Sequence, residues 1–168
     1  MSQVSSFPPI IDEGARVLIL GSMPGVESLR LQHYYANPRN HFWKIIYNLF
    51  EAETSPTYEE KVSFVMSKKI ALWDVIQNCQ REGSLDSNIR DEQVNDFSGL
   101  FQAYPNIETV IFNGGKAYET YKKWIGFNDV PNLTFLRLTS SSPANTKRFE
   151  EKLREWSVIK ELILPFQA

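Results

Sequence analysis

Four short stretches rich in glycine, hydroxyls and carboxamides stand directly behind four short apolar runs. They are Gly21-Ser22-Met23-Pro24-Gly25, Asp74-Val75-Ile76-Gln77-Asn78, Asn113-Gly114-Gly115 and Thr139-Ser140-Ser141-Ser142-Pro143-Ala144-Asn145. Two glycines and a proline in the first make a tight turn whose backbone can approach a ligand closely, and they equally suit a plain strand–loop connection. It is neither a Gly-Lys-Ser/Thr phosphate loop nor a dinucleotide fingerprint. Asn113 offers one donor edge and one acceptor edge to a heterocycle, or simply opens a turn. Asp74 sits inside an apolar run, where a carboxylate is costly unless paired or used. The serines and Asn145 fit a Ser-Pro helix entry, and their hydroxyls and amides also fit a phosphate.

A fifth stretch, Tyr34-Tyr35-Ala36-Asn37-Pro38-Arg39-Asn40-His41-Phe42-Trp43, reads as an aromatic loop entering a helix at Asn40. Asn40 suits an N-cap, and a tyrosine ring here suits either loop packing or stacking on a planar base. His41 reads as a surface or packing residue, Cys79 as a small buried side chain, and Glu51–Glu60 as a solvated face.

These residues must be positioned by something. Arg16–Gly21, Lys69–Val75, Thr109–Asn113 and Leu133–Leu138 read as buried strands. Between them, helical spacing joins Phe42, Ile45, Ile46 and Leu49, and then Val62, Val65 and Met66. Asp91 is expected to cap a helix carrying Val94, Phe97, Leu100 and Phe101. Lys116–Trp124 fits a short helix, and Phe149, Leu153, Trp156, Ile159 and Ile163 form the stripe of a last one. Alternating strands and helices predict a parallel sheet covered on both faces, with ligands beyond the carboxyl ends of its strands.

Composition excludes several classes. The 168 residues suit a single domain, 1–168. No run approaches the roughly 18–20 apolar residues of a membrane span, and Met1–Pro9 lacks the basic and apolar regions of a secretory leader. One cysteine and two histidines leave no disulfide framework, no cysteine-held cluster and no classical zinc site, so no metal or cofactor is expected. Eighteen basic against twenty acidic residues, net −2, exclude a generic basic coat for nucleic acid. Yet ten of the acids fall in residues 51–100, and Arg30, Arg39, Lys116, Lys147 and Arg148 flank the motifs, so a local basic face is expected.

Taken in order, GSMPGVESL, YYANPRNHFWKIIYNLF, IALWDVI, VIFNGGKAY and LTSSSPAN resemble the hypoxanthine-DNA (deoxyinosine) glycosylase family of the uracil-DNA glycosylase superfamily. The resemblance spans nearly the whole chain, and YYANPRN–HFW is its specific element. It implies a three-layer α/β/α sandwich with a four-stranded parallel sheet, and a monofunctional DNA glycosylase acting on deaminated bases, foremost hypoxanthine. A uracil- or mismatch-preferring enzyme and a non-catalytic nucleotide-binding domain are the alternatives. The implied partner is DNA containing deaminated bases, bound by a monomer without a membrane. The expected location is the cytoplasm, at the nucleoid in a prokaryote.

The resemblance also implies site roles. The water-positioning asparagine falls on Asn40, with Asn37 as the alternative. Base contacts fall on Tyr35, Asn113, Asp74 and Met23. DNA contacts fall on Gly21, Ser22, Pro24 and Gly25, on Ser140, Ser141, Ser142 and Asn145, and on Arg39 and Lys147. The chain departs from the superfamily pattern at three places. Met23 stands where many members carry Asp or Asn, Ser140-Ser141-Ser142 replaces His-Pro-Ser, and Ala144 replaces an intercalating leucine. The water, the leaving base and the wedge must then be served by other residues, or the wedge is absent.

Overall fold

Val17-Leu18-Ile19-Leu20 has no polar face, so a strand built from it must be covered on both sides. The computed structural model describes residues 2–163; the ends of the expected 1–168 unit, residue 1 and residues 164–168, lie outside the described residues. The elements in chain order are β1 (Gln3–Ser5), β2 (Val17–Gly21), α1 (Val26–Leu31), α2 (Phe42–Leu49), α3 (Tyr58–Ser67), β3 (Ile70–Asp74) and β4 (Ile76–Gln80). They continue as β5 (Arg90–Val94), α4 (Phe97–Ala103), β6 (Thr109–Asn113), α5 (Gly115–Trp124), β7 (Thr134–Leu138), α6 (Phe149–Trp156) and α7 (Val158–Ile163).

The expected four-stranded sheet is present, all parallel, in the order β3-β2-β6-β7. Ile19 lies between Leu72 and Ile111 in its register. Alternate residues then part to opposite faces, as the pleat requires. Val17 and Ile19 join Phe42, Ile45, Ile46 and Trp156 in one core. Leu18 and Leu20 join Phe97, Phe101, Ala117 and Tyr121 in the other. Each fully buried Leu or Ile contributes about 1.5–3 kcal/mol, which makes this sheet the rigid floor of the molecule.

Four expectations need correction. Asp91 caps no helix: it lies in β5 at φ 55°, where β4 and β5 pair antiparallel with register shifts. The cap is Asp96, whose carboxylate accepts from Gly99 N at 3.0 Å, so the apolar spacing after Phe97 was helical and Val94 was not part of it. The stretch after Asp74, expected only to follow a strand, itself contains one, because Ile76–Gln80 forms the middle strand of a second sheet, β1-β4-β5. Burial drives that pairing: Ile76, Cys79, Ile89 and Met23 share a small core of their own. His41, not Asn40, occupies the cap position of α2, and the last helix is broken at Ser157 into α6 and α7.

Candidate active site

The strands of the parallel sheet end level with one another. Gly21 pairs with Asp74, Leu20 with Phe112, and Asn113 with Leu138, so β2, β3 and β6 deliver Gly21, Asp74 and Asn113 side by side. A cavity of about 420 Å³ opens there, a size that holds a base and part of its sugar. Every residue that the sequence assigns to the site lines it except Arg39 and Lys147.

Gly21 is there because nothing larger fits. A Cβ would stand 2.6 Å from Asp74 Oδ1 and 3.2 Å from the Tyr35 hydroxyl oxygen. Asp74 is 4% exposed, and its Oδ2 is buried without a hydrogen-bond partner. Its carboxyl is pushed up to about 7, first by burial and then by the Asp86 carboxylate, against the opposing pull of Arg81. A neutral carboxyl carries one donor and one acceptor, so near neutral pH Asp74 is poised to act as either.

Tyr35 holds a left-handed backbone, φ 56°, which a bulky residue adopts only when its surroundings impose it. They do so from both sides. Trp43 Nε1 donates to the Tyr34 carbonyl at 3.0 Å, and Ala36 N donates to Ser28 Oγ at 3.1 Å. The ring lies flat on Phe42, centroids 3.9 Å apart and planes 17° apart. Only its opposite face remains for a ligand. Burial, followed by the neighbouring Asp74 charge, raises its phenol above the usual tyrosine range.

Asn113 Nδ2 donates to Ser141 Oγ at 2.9 Å and to the Tyr35 hydroxyl at 3.3 Å, while its Oδ1 accepts from Ser141 N at 2.9 Å. Ser141 is fully buried, and its own carbonyl accepts from His41 N at 3.0 Å. Its hydroxyl faces Asn113 and not the outside. The loop at Gly114 makes this approach possible: φ is 96°, and a Cβ would meet Ser140 Cβ at 2.9 Å.

Asn40 Oδ1 accepts from Phe42 N at 2.9 Å, which ties its side chain to the start of α2 while its Nδ2 has no hydrogen-bond partner among the described residues. Asn37 Oδ1 accepts from Arg39 N at 2.9 Å. Both amides therefore keep a donor for a ligand or a water.

The expected basic face is partly compensated. Arg30 pairs with Glu27 at 2.8 Å, Lys147 with Glu155 at 3.6 Å and Arg148 with Glu151 at 3.6 Å. The sequence reading missed a buried cation, Lys152, whose Nζ donates to the Ser142 carbonyl at 3.2 Å and which burial holds below the usual lysine range. It also missed Ser84, Leu85, Asp86 and Ser87, which wall the cavity from the β4–β5 connection. Their signal was faint: Gly83-Ser84 is a turn dipeptide, but the flanking runs do not alternate cleanly.

Among the described residues, no group of three His, Cys, Asp or Glu side chains is placed to hold a metal ion. No described helix is long and apolar enough to cross a membrane.

Residues 8–162 match the sequence profile of the uracil DNA glycosylase superfamily. The chain is 40% identical over 156 residues to a protein of Methanosarcina acetivorans named hypoxanthine DNA glycosylase, covering 91% of this chain and 95% of that one. A Methanosarcina barkeri protein of the same name is 38% identical over 154 residues, covering 90% and 94%. Among solved structures, a solution NMR structure of a candidate uracil DNA glycosylase from Methanosarcina acetivorans superposes with TM-score 0.80 at 38% identity. That match covers 96% of this chain and 99% of that one.

Proposed function

The chain belongs to the uracil DNA glycosylase superfamily and is a DNA N-glycosylase, and we propose that the base it releases from DNA is foremost hypoxanthine. The observation that carries this reading is the locked carboxamide of Asn113. A backbone N–H can only donate, so Ser141 N fixes the orientation of Asn113: Oδ1 and one amino hydrogen are held by Ser141, and the other amino hydrogen, on its long contact with the Tyr35 hydroxyl, is the one a base can take. An amino donor welcomes a carbonyl and meets an exocyclic amine with an unpaired clash. Deamination turns the C6 amine of adenine into the C6 carbonyl of hypoxanthine, so this one group separates damage from its parent base. A mispaired hydrogen-bonding site rejects the wrong analogue strongly, because buried polar groups are left unsatisfied. The two relatives named hypoxanthine DNA glycosylase support the purine over uracil.

The target nucleotide leaves the duplex, since the bond to be broken is not accessible in the stack. The base enters the cavity against the free face of Tyr35, displacing the long 3.3 Å contact between Asn113 and the Tyr35 hydroxyl. Neutral Asp74 supplies a second donor–acceptor edge from β3. Met23 closes the apolar side.

Cleavage passes through an oxocarbenium-like sugar, as in glycoside hydrolysis, so no strong base is needed and ordinary water completes the reaction. Asn40 positions that water: its Nδ2 donates, and the second lone pair of Oδ1 accepts. Asn37 is the alternative holder. Among the described residues no lysine lines the cavity, which supports release of the base to leave an abasic site without a Schiff-base intermediate. Ser140, Ser142, Asn145 and the Gly21–Gly25 backbone meet the DNA strand at the cavity rim, with Arg39 and Lys147 outside it. The protein works as a monomer without a cofactor.

Single-turnover base release from duplexes carrying deoxyinosine, deoxyxanthosine or deoxyuridine tests this reading. Hypoxanthine should leave fastest. Faster release of uracil would transfer the preference to the pyrimidine.

A further inference from the structure

Four large apolar side chains are substantially exposed among the described residues: Val26, Leu31, Leu85 and Trp124. Single exposed apolar groups need no explanation, but two of these four line the same cavity. Leu85 is 53% exposed and Val26 50%, and both stand on the rim of the site already described. They are also tied together, because Val26 N donates to Ser84 Oγ at 2.8 Å.

Leu85 is held out to solvent by a braced loop. On one side Ser84 grips the start of α1; on the other, Ser22 Oγ donates to Asp86 Oδ1 at 2.7 Å. Asp86 is thus pinned to the Gly21–Gly25 turn that meets the DNA, and Ser84 to Val26, the residue that follows it. Asn88 N donates to the Leu85 carbonyl at 3.0 Å, and Arg90 Nη1 donates to the Ser87 and Ile89 carbonyls at 2.8 Å. The Asp86 carboxylate is turned inward onto Ser22, with buried Arg81 beneath it donating to the Pro24 carbonyl. The bound loop leaves its leucine outside the small core of Met23, Ile76, Cys79 and Ile89 and presents it at the mouth of the cavity.

Resting on the glycosylase reading of that cavity, we propose that Leu85, with Val26 beside it, is the wedge that enters the DNA base stack in place of the flipped nucleotide. An apolar wedge offsets part of the unstacking cost and blocks return of the base. Ala144, at the far rim, is too small for that task.

The wedge is needed most where the target is well paired. The test compares wild type with Leu85→Ala and Leu85→Met on two duplexes, with hypoxanthine opposite cytosine or opposite an abasic site, and on the matching uracil duplexes. Leu85→Ala should slow release from the paired duplex by about tenfold, the equivalent of one unstacking term near 1.4 kcal/mol. It should leave release opposite the abasic site within about twofold, and Leu85→Met should restore the paired rate. A 2-aminopurine beside the target should brighten less on binding of Leu85→Ala than of wild type, whether or not a base is released. Equal slowing on both duplexes, or no slowing with unchanged fluorescence, would overturn the wedge. Preference for uracil in wild type would overturn only the choice of base, because the paired-to-unpaired ratio is then read on uracil.

Discussion

Asn113 and Ser141 hold each other by a reciprocal pair of hydrogen bonds, Ser141 N to Asn113 Oδ1 and Asn113 Nδ2 to Ser141 Oγ, both 2.9 Å long. The same Ser141 accepts through its carbonyl from His41 N, at the start of the helix that follows Asn40. One buried serine therefore joins Asn113, at the end of β6, to the segment that carries Asn40.

Asn113→Asp isolates the donor from the shape. The carboxylate still accepts from Ser141 N but has no hydrogen for a base carbonyl. Release of hypoxanthine should fall by about 10²-fold or more, the usual loss when one oriented donor at the reacting group is removed. Single-turnover kinetics measure it, with circular dichroism melts showing that the fold persists. An undiminished rate would end the role of Asn113 in reading the carbonyl.

Asn40→Ala should abolish release while sparing DNA binding. It also removes the bond to Phe42 N, at a cost of about 1 kcal/mol to α2. Asn40→Ser can keep that bond with its hydroxyl but lacks the amide donor, so it should be as stable as wild type and still inactive. Release by either variant at the wild-type rate would hand the water to Asn37.

The sequence made the sheet legible because Val17–Leu20 and Val110–Phe112 are apolar on every residue, a pattern that suits a doubly covered strand. The strand-end motifs followed from the topology, and Gly21, Asp74 and Asn113 do lie side by side. The second sheet was illegible for a local reason. Arg90–Val94 is mostly exposed and bent by register shifts, so it carries neither alternation nor β-branched density. Leu85 and Lys152 were missed because their meaning lies in their surroundings. A leucine in a loop and a lysine on an amphipathic helix are ordinary until one proves exposed at the cavity mouth and the other buried.

Lys152 leaves a mark on His41. Burial first, and then the Lys152 and Lys44 ammonium groups, hold the His41 imidazole below its ordinary value, and its Nδ1 is buried without a partner. Lys152→Met keeps the volume and removes the charge, so the His41 midpoint should move upward. NMR titration of the His41 imidazole protons in both proteins measures it. No upward movement would show that the Lys152 charge does not reach His41.

DNA binding should weaken as salt rises in spite of the net charge of −2, because phosphate contacts release counterions wherever they form. Three of the flanking cations are held by carboxylates, Glu27, Glu155 and Glu151, so the slope should be shallow. Arg39→Gln should lower the slope by about one contact. Fluorescence anisotropy across a salt series reads it. A slope of zero would exclude a phosphate-facing basic edge.

Asp74 links the cavity to pH. Its folded value, about 7, lies above its ordinary 3.8. Between those limits the folded protein keeps a proton that the unfolded chain has lost, so stability falls as pH rises through that window. Below it both states are protonated, and above it both are ionised, so the penalty is complete by mildly alkaline pH. Asp74→Asn removes the titration and should stabilise the protein relative to wild type at pH 8, by on the order of a few kcal/mol, but much less at pH 4. Catalysis should follow the same proton. Neutral Asp74 can donate to a base carbonyl and ionised Asp74 cannot, so release should decline as pH rises through about 7. Asparagine at this position is a permanent donor. Asp74→Asn should therefore retain release and lose the alkaline decline, whereas Asp74→Ala should lose release at every pH. Denaturant titrations and single-turnover rates from pH 5 to about 9 measure both effects. An alkaline decline that persists in Asp74→Asn would assign the titrating group to another residue.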